Sequence, residues 1–171
     1  KNMNEAMLRI LPDLLSSYDI VHQTGEANLE DMKKVTASIL REHPYKDHYF
    51  LDGFIDVGIF YPKVDFVITR AGSMMFEIVQ WQLPMLVIPI PEAISRDQRS
   101  NAYAMAGRGV ASVLEENNLA PAIMLSEIHR ILDDKEVYAK MSQAGKQFEN
   151  SRQAAGVIAR ELVRIGLSHA S

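Results

Sequence analysis

The sequence contains no cysteine among its 171 residues. This absence excludes disulfide bonds, thiolate metal sites and a cysteine nucleophile. It fits a reducing compartment, so we expect a cytoplasmic location. The five histidines are scattered without metal-ligand spacing, and we expect neither a metal nor a cofactor.

An excess of positive charge is absent as well. The chain carries 18 Lys and Arg against 22 Asp and Glu, a formal net charge of -4. It therefore lacks the basic field that binds nucleic acid. Apolar runs are short: one of the longest, at residues 85–90, is far below the roughly 20 residues that span a bilayer. We expect no nucleic-acid partner and no membrane-spanning segment.

A strand is missing at the front of an otherwise regular alternation. The first residues lead straight into a helical pattern, and we expect the chain to be cut at its front end. With 47% hydrophobic and 23% charged residues, the composition is that of one globular domain over residues 1–171.

Hydrophobic periodicity predicts alternating strands and helices. Apolar runs bounded by turn residues predict strands over 18–23, 46–51, 65–69, 84–90 and 110–114. Helical spacing predicts helices over 4–17, 29–41, 73–82, 98–106, 121–132, 135–148 and 152–165, with a helical turn over 56–61. Pro12 is expected to bend the first helix or end it early. The alternation predicts an α/β fold with a doubly wound parallel sheet and extra C-terminal helices.

Polar segments follow three of the predicted strands, where an open parallel sheet binds its ligands. They are His22-Gln23-Thr24-Gly25, Arg70-Ala71-Gly72-Ser73 and the stretch of residues 91–98.

The segment around Gly72 predicts the clearest binding chemistry. Small residues at Ala71 and Gly72 let the backbone approach a ligand, and free amides at the next helix start suit a diphosphate. Glu77 lies about one turn into that helix, where its carboxylate could accept hydrogen bonds from two neighbouring hydroxyls, as in a ribose. Alternatively, Gly72 only forms a tight turn and Glu77 only complements the helix dipole.

The segment after residue 90 contains a helix start and two amide side chains. Ser95 and Gln98 have capping-box spacing, which starts a helix near Arg96. Gln98 and Asn101 then share one helix face. They could read sugar hydroxyls, or they could be ordinary solvated residues. His22 is expected to be a hydrogen-bonded, half-buried histidine and not a catalytic base.

Several motifs together resemble a known family. The sequence is similar to the C-terminal domain of the MurG family, bacterial GT-B glycosyltransferases of family 28 type that transfer N-acetylglucosamine in peptidoglycan synthesis. The resemblance covers nearly the whole chain in order. The matching motifs are residues 22–25, Gly53-Phe54-Ile55-Asp56, residues 65–73, Phe76-Glu77, Asp97-Gln98 and Asn101-Ala102.

The resemblance implies a Rossmann-like fold, the C-terminal half of a GT-B enzyme, and a site for UDP-GlcNAc. It implies that Glu77 holds the ribose hydroxyls, that the Ile55 backbone reads the uracil edge, and that Gln98 and Asn101 read the sugar. The complete set of implied binding residues is Ile55, Arg70, Gly72, Ser73, Met74, Glu77, Gln98 and Asn101.

The chain departs from the family in several places. The family has a strand and a glycine-rich loop before the segment matching residues 2–6. Its interval between the positions of Arg70 and Glu77 is one residue longer, so the register of Ser73 to Met75 could shift, and the segment near Arg96-Asp97 is shortened. The N-terminal domain, expected to hold the acceptor site and the catalytic base, is missing. The chain is therefore not expected to catalyse transfer alone.

The leading functional hypothesis is the donor-binding domain of an inverting, metal-independent N-acetylglucosaminyltransferase. Its acceptor would be a lipid-linked muramyl-pentapeptide held by the missing domain, at the inner face of the cell membrane. One alternative is a stand-alone, non-catalytic donor-binding subunit that needs a partner chain. Another is an isomerase resembling UDP-GlcNAc 2-epimerases, for which Asp97 is the candidate catalytic group.

Overall fold

The computed structural model of the chain describes residues 2–148 and 154–168. Strands and helices alternate up to β5, after which three helices follow. The strands are β1 (Ile20–Gln23), β2 (Tyr49–Asp52), β3 (Val67–Thr69), β4 (Met85–Val87) and β5 (Ala111–Val113). The helices are α1 (Asn2–Leu15), α2 (Leu29–Ile39), α3 (Val57–Phe60), α4 (Met74–Gln80), α5 (Arg96–Gly107), α6 (Pro121–Leu132), α7 (Lys135–Gly145) and α8 (Ala154–Ser168).

The parallel strands form two sheets where the sequence predicted one. β1 pairs with β2 from Ile20 opposite Tyr49, and β4 lies between β3 and β5. Within the described residues β1 and β3 each have one paired edge. The fold class is confirmed as parallel α/β, and within the described residues the strands lie in two separate sheets.

β4 is the centre of the hydrophobic core. Met85 and Val87 point to one face, where they pack with buried residues of α4 and α5, while Leu86 packs on the other face with α1 and α6. All three strand residues are fully buried. This burial on both faces explains the continuous apolar run in the sequence.

Helix α1 connects the two sheets on one face. Ile10 and Leu14 pack against the layer of Leu86, whereas Leu11 and Leu15 pack with Ile20, Tyr49 and Leu40. The helix continues through Pro12 to Leu15, so the prediction of an early end is wrong. The carbonyl of Pro12 accepts a hydrogen bond from the His43 ring, 3.0 Å away.

Local chemistry shifts some element bounds from their predicted positions. Residues 46–48 form a 3-10 turn, so β2 begins at Tyr49. Helix α6 spans the predicted residues, and Asp134 caps α7 by accepting hydrogen bonds from two backbone amides. Residues 152 and 153 of the last predicted helix lie outside the described residues. No helix within the described ranges combines the length and apolarity needed to cross a membrane.

Candidate functional site

The loops that follow β1 and β2 lie side by side. The Thr24 amide donates to the Asp52 carbonyl at 3.0 Å, and the Gly25 amide donates to the Gly53 carbonyl at 3.1 Å. These bonds continue the parallel pairing past the ends of both strands. Gly25 has a φ of 80°, a conformation that favours glycine. The first polar segment is therefore held directly beside Phe54 and Ile55.

The backbone amide of Ile55, implied to read a uracil edge, is present at this edge of the sheet but has a partner. The carboxamide oxygen of Gln23 accepts its hydrogen bond at 3.0 Å. Beside it lies a hollow of about 510 Å³, lined mainly by apolar side chains. The sequence placed Gln23 at the end of one predicted strand and Ile55 after another, but it did not predict that one would bond to the other.

The buried His22 lies in β1, next to these loops, and helps to hold them in place. It is 9% exposed, its Nδ1 lies 2.8 Å from the Tyr49 hydroxyl, and its Nε2 lies 3.4 Å from Asn4 Oδ1. Burial lowers the pKa of His22 to about 4, so the ring is neutral near pH 7. The prediction of a hydrogen-bonded structural histidine is confirmed.

Arg70 lies in the turn after β3 and faces the neighbouring strand ends. Its guanidinium donates to the carbonyls of Ile88 and Pro89 at 3.2 and 3.4 Å and forms an ion pair with Glu116. Burial acts to raise the pKa of Glu116, but hydrogen bonds from Arg70 and Asn2 outweigh it and hold that pKa below its usual range. Arg70 therefore ties the ends of β3, β4 and β5 together.

The turn at Gly72 is open. A Cβ added there would meet no atom of the described residues within 4 Å, and the φ of Gly72 is not in the left-handed region. The fold therefore does not require glycine at this position. Ser73 is the N-terminal cap residue, and helix α4 begins at Met74, one residue later than predicted. Met74 is half-buried against the core and Ser73 is exposed.

Glu77 is exposed and lies one turn inside α4. Its carboxylate has no hydrogen bond or ion pair to another side chain or backbone group in the described parts of the chain. A carboxylate accepts hydrogen bonds at both oxygens. Glu77 thus offers unused acceptors at the same edge as Gly72.

Gln98 and Asn101 lie on α5 at the spacing that places them on one helix face. The Gln98 side-chain oxygen accepts a hydrogen bond from the Ile90 amide at 3.1 Å, which leaves its NH₂ group for other partners. Asn101 is exposed, and its side chain makes no hydrogen bond within residues 2–148 and 154–168. Ser95 starts the helix as predicted, although its hydroxyl makes no capping bond. Asp97 is exposed in the first turn.

A charged cluster beside α5 was not predicted from the sequence. Arg99 pairs with Glu115 at 2.7 Å, and the Tyr103 hydroxyl donates to the same carboxylate at 2.9 Å. The cluster borders a hollow of about 260 Å³ next to residues 89–92. Arg99 and Tyr103 lie four residues apart on α5, but Glu115 follows β5, and no spacing pattern in the sequence connects it to them.

The implied binding residues follow strands of both sheets. Ile55 follows β2, the residues from Gly72 to Glu77 follow β3, and Gln98 and Asn101 follow β4, so all lie beyond carboxyl ends of parallel strands. Three features suit a ligand rich in hydroxyls: the open backbone at Gly72, the Glu77 carboxylate, which has no partner among the described residues, and the amide groups of α5.

Comparison with protein-family models matches residues 1–155 to the glycosyltransferase family 28 C-terminal domain. Among curated proteins, the chain is 34% identical over 140 residues to UDP-N-acetylglucosamine--N-acetylmuramyl-(pentapeptide) pyrophosphoryl-undecaprenol N-acetylglucosamine transferase 3 of Bacillus thuringiensis (strain Al Hakam). That match covers 81% of this chain and 38% of the relative. The Geobacillus kaustophilus (strain HTA426) transferase is 32% identical over 148 residues, covering 85% and 39%. The chain thus spans less than half the length of these relatives.

Solved structures share the fold. Acinetobacter baumannii MurG superposes with a TM-score of 0.70 at 23% identity, covering 86% of this chain and 41% of that one. The glycosyltransferase VinC, solved in complex with dTDP, gives a TM-score of 0.67 at 19% identity and covers 93% and 39%. Both are GT-B glycosyltransferases, and the described architecture is that of one Rossmann-like half.

Proposed function

The chain belongs to the glycosyltransferase family 28 C-terminal domains, and from this membership we propose that it is the UDP-GlcNAc-binding domain of an inverting N-acetylglucosaminyltransferase of peptidoglycan lipid-intermediate synthesis. The printed names of its relatives give the donor and acceptor of those proteins. For this chain, donor, acceptor and stereochemistry are part of the proposal.

The exposed carboxylate of Glu77 is the observation that carries this proposal. It lies one turn after Gly72, beside open space, and has no partner among the described groups. A carboxylate that only complemented a helix dipole would not need an open turn beside it. In the proposal, Glu77 accepts hydrogen bonds from both ribose hydroxyls.

The remaining groups are assigned around the ribose. Ile55 presents its backbone to the uracil edge, and Ser73 and Met74 lie near the diphosphate and sugar. Gln98 and Asn101 read the GlcNAc hydroxyls, with the Gln98 NH₂ as donor because its oxygen is bonded to Ile90. Donors at the turn after β3 would stabilise the negative charge that develops on the departing UDP.

Arg70 takes a supporting role in the proposal. Because its guanidinium bonds to two backbone carbonyls and to Glu116, it holds the loops in place. We expect it to act on the donor through the shape of the turn.

The acceptor site and the catalytic base belong to a second domain in this proposal, since a GT-B active site lies in the cleft between two domains. The lipid-linked acceptor would place the complete enzyme at the inner surface of the cell membrane. The free edges of β1 and β3 are where we propose that a further strand, with its glycine-rich loop, completes one sheet.

Titration of the ¹⁵N-labelled chain with UDP, UDP-GlcNAc and UDP-glucose tests the proposal. We expect shifts at the amides of Ile55, Gly72 and Glu77 for all three ligands, and the tightest binding for UDP-GlcNAc. Amide shifts register weak complexes, so an absence of shifts at these residues at millimolar ligand would contradict the proposed function.

A transferase assay tests whether catalysis requires the second domain. We expect no transfer to a lipid acceptor by residues 1–171 alone, because no catalytic base is assigned to them. Turnover by the chain by itself would refute this part of the proposal.

A further inference from the structure

Tyr61 has a buried hydroxyl without a hydrogen-bond partner among the described residues. The residue begins the 3-10 turn Tyr61–Lys63 and is 5% exposed. No solvent reaches its oxygen to supply the missing bond, because that atom is buried. Other tyrosine hydroxyls are used: Tyr49 bonds to His22, and Tyr138 donates to the Asp65 carbonyl at 3.0 Å.

An unsatisfied buried hydroxyl destabilises a fold, since it loses its bonds to water and gains none. Phenylalanine would fill the same apolar space without this loss. The stability of the free chain therefore does not explain why residue 61 is tyrosine and not phenylalanine. A group that is used only in the ligand-bound state would explain it.

The ring of Tyr61 lies behind the proposed ribose site. It packs in the same buried cluster as Ala71, Met75 and Ile78, which flank Gly72 and Glu77 along the chain. Burial raises the pKa of Tyr61, and the negative charge of Glu77 adds to that rise. Glu77 lies between Met75 and Ile78 on α4, the helix whose buried residues pack in this cluster.

We infer that Tyr61 is a positioning residue for nucleotide binding: its hydroxyl donates a hydrogen bond to the Glu77 carboxylate when that side chain turns to receive the ribose. This inference rests on the proposed function. The hydroxyl is buried, so a ligand does not reach it directly. A carboxylate has about four lone-pair positions, enough to accept from Tyr61 and from two ribose hydroxyls together.

The substitution Tyr61→Phe tests the inference, with Tyr138→Phe as the matched control. Since the Tyr61 oxygen has no hydrogen-bond partner in the described part of the chain, Tyr61→Phe should melt at an unchanged or higher temperature. Its affinity for UDP should fall about threefold to tenfold, which corresponds to about 0.7 to 1.4 kcal/mol. Tyr138→Phe, which removes the 3.0 Å hydrogen bond to the Asp65 carbonyl, should melt at a lower temperature and bind UDP normally.

Two further measurements separate positioning from packing. With 2′,3′-dideoxyuridine diphosphate, which offers Glu77 no ribose hydroxyls, wild type and Tyr61→Phe should bind equally. In a Glu77→Ala background, Tyr61→Phe should cause no additional loss of UDP affinity.

The outcomes distinguish this inference from the proposed function. If Glu77→Ala weakens UDP binding but Tyr61→Phe does not, the inference is wrong and the proposed function stands. If Tyr61→Phe weakens UDP and the dideoxy ligand equally, its effect is packing and the inference is also wrong. If Glu77→Ala leaves UDP binding unchanged, the ribose assignment fails and the positioning role fails with it.

Discussion

The carboxamide oxygen of Gln23 accepts a hydrogen bond from the backbone amide of Ile55, with 3.0 Å between Oε1 and N. This bond joins the last residue of β1 to the loop after β2. It occupies the backbone group that is proposed to read the nucleotide base. Binding would therefore require the base to replace the Gln23 side chain.

We predict that Gln23→Ala strengthens UDP binding. A neutral hydrogen bond contributes about 0.5 to 1.5 kcal/mol net, so freeing the Ile55 amide should raise affinity by about twofold to tenfold. Calorimetry or amide-shift titration measures this. Asn28→Ala is the control, because Asn28 bonds to the Thr24 carbonyl in the same loop without contacting Ile55. Unchanged affinity in Gln23→Ala would place the base elsewhere.

Replacing Glu77 should affect binding and not folding. Hydrogen bonds to a charged group are worth about 1.5 to 3 kcal/mol, so Glu77→Gln should weaken UDP by at least about tenfold. Its melting temperature should hardly change because the side chain is exposed. Asp31→Asn, in the first turn of α2, is the control for a helix-dipole carboxylate.

The opposite result for Glu77 is also defined. A dipole role forecasts a stability loss of about 0.3 to 1 kcal/mol with UDP affinity unchanged. A urea melt and a UDP titration on the same variant distinguish the two roles.

Gly72→Ala should weaken nucleotide binding without harming the fold. The added methyl group meets no described atom within 4 Å, and replacing glycine lowers the entropy of the unfolded chain. Its effect on UDP affinity should come from the ligand that approaches this backbone. Gly107→Ala has equally open surroundings on α5 and should leave affinity unaltered. Equal UDP binding by both variants would remove Gly72 from the site.

Asn101→Ala should weaken UDP-GlcNAc more than UDP. Its exposed amide has no bond to lose among the described groups, so its melting temperature should stay constant, with a loss of about 0.5 to 1.5 kcal/mol for the sugar nucleotide alone. Gln98→Ala should show the same selectivity together with a lower melting temperature, because its oxygen bonds to Ile90. An equal loss for UDP and UDP-GlcNAc would place both residues away from the sugar.

Stability should fall in acid through His22. Burial lowers the folded-state pKa of His22 to about 4, below its ordinary 6.5. Between these values the unfolded chain binds more protons, so stability is present above about pH 6.5 and is lost as pH falls toward 4. The extra slope should reach at most about 1.4 kcal/mol per pH unit. Urea unfolding of wild type and His22→Gln across this range measures it, and identical slopes would contradict the assignment.

Local sequence signals predicted most of the secondary structure, because the pattern of apolar and polar residues within a short stretch indicates which of them are buried. The buried run of β4 was confirmed, as was α6 over residues 121–132. The strand predicted over 46–51 began later, because residues 46–48 close a 3-10 turn that apolar content does not reveal. Helix α1 continued past Pro12 because packing of Leu14 and Leu15 holds its last turn.

The sequence by itself determined the fold class, the family and which segments follow each strand, since these depend on residue order and hydrophobic pattern. Only the tertiary structure decided which polar groups already have a hydrogen-bond or ion-pair partner within the chain. It bonded Gln23 to Ile55 and Arg70 to Glu116, and it left Glu77 and the Tyr61 hydroxyl without hydrogen-bond partners among the described residues. The physical reason is that a hydrogen bond depends on distances between groups far apart in the chain, and those distances exist only after the helices and sheets have packed.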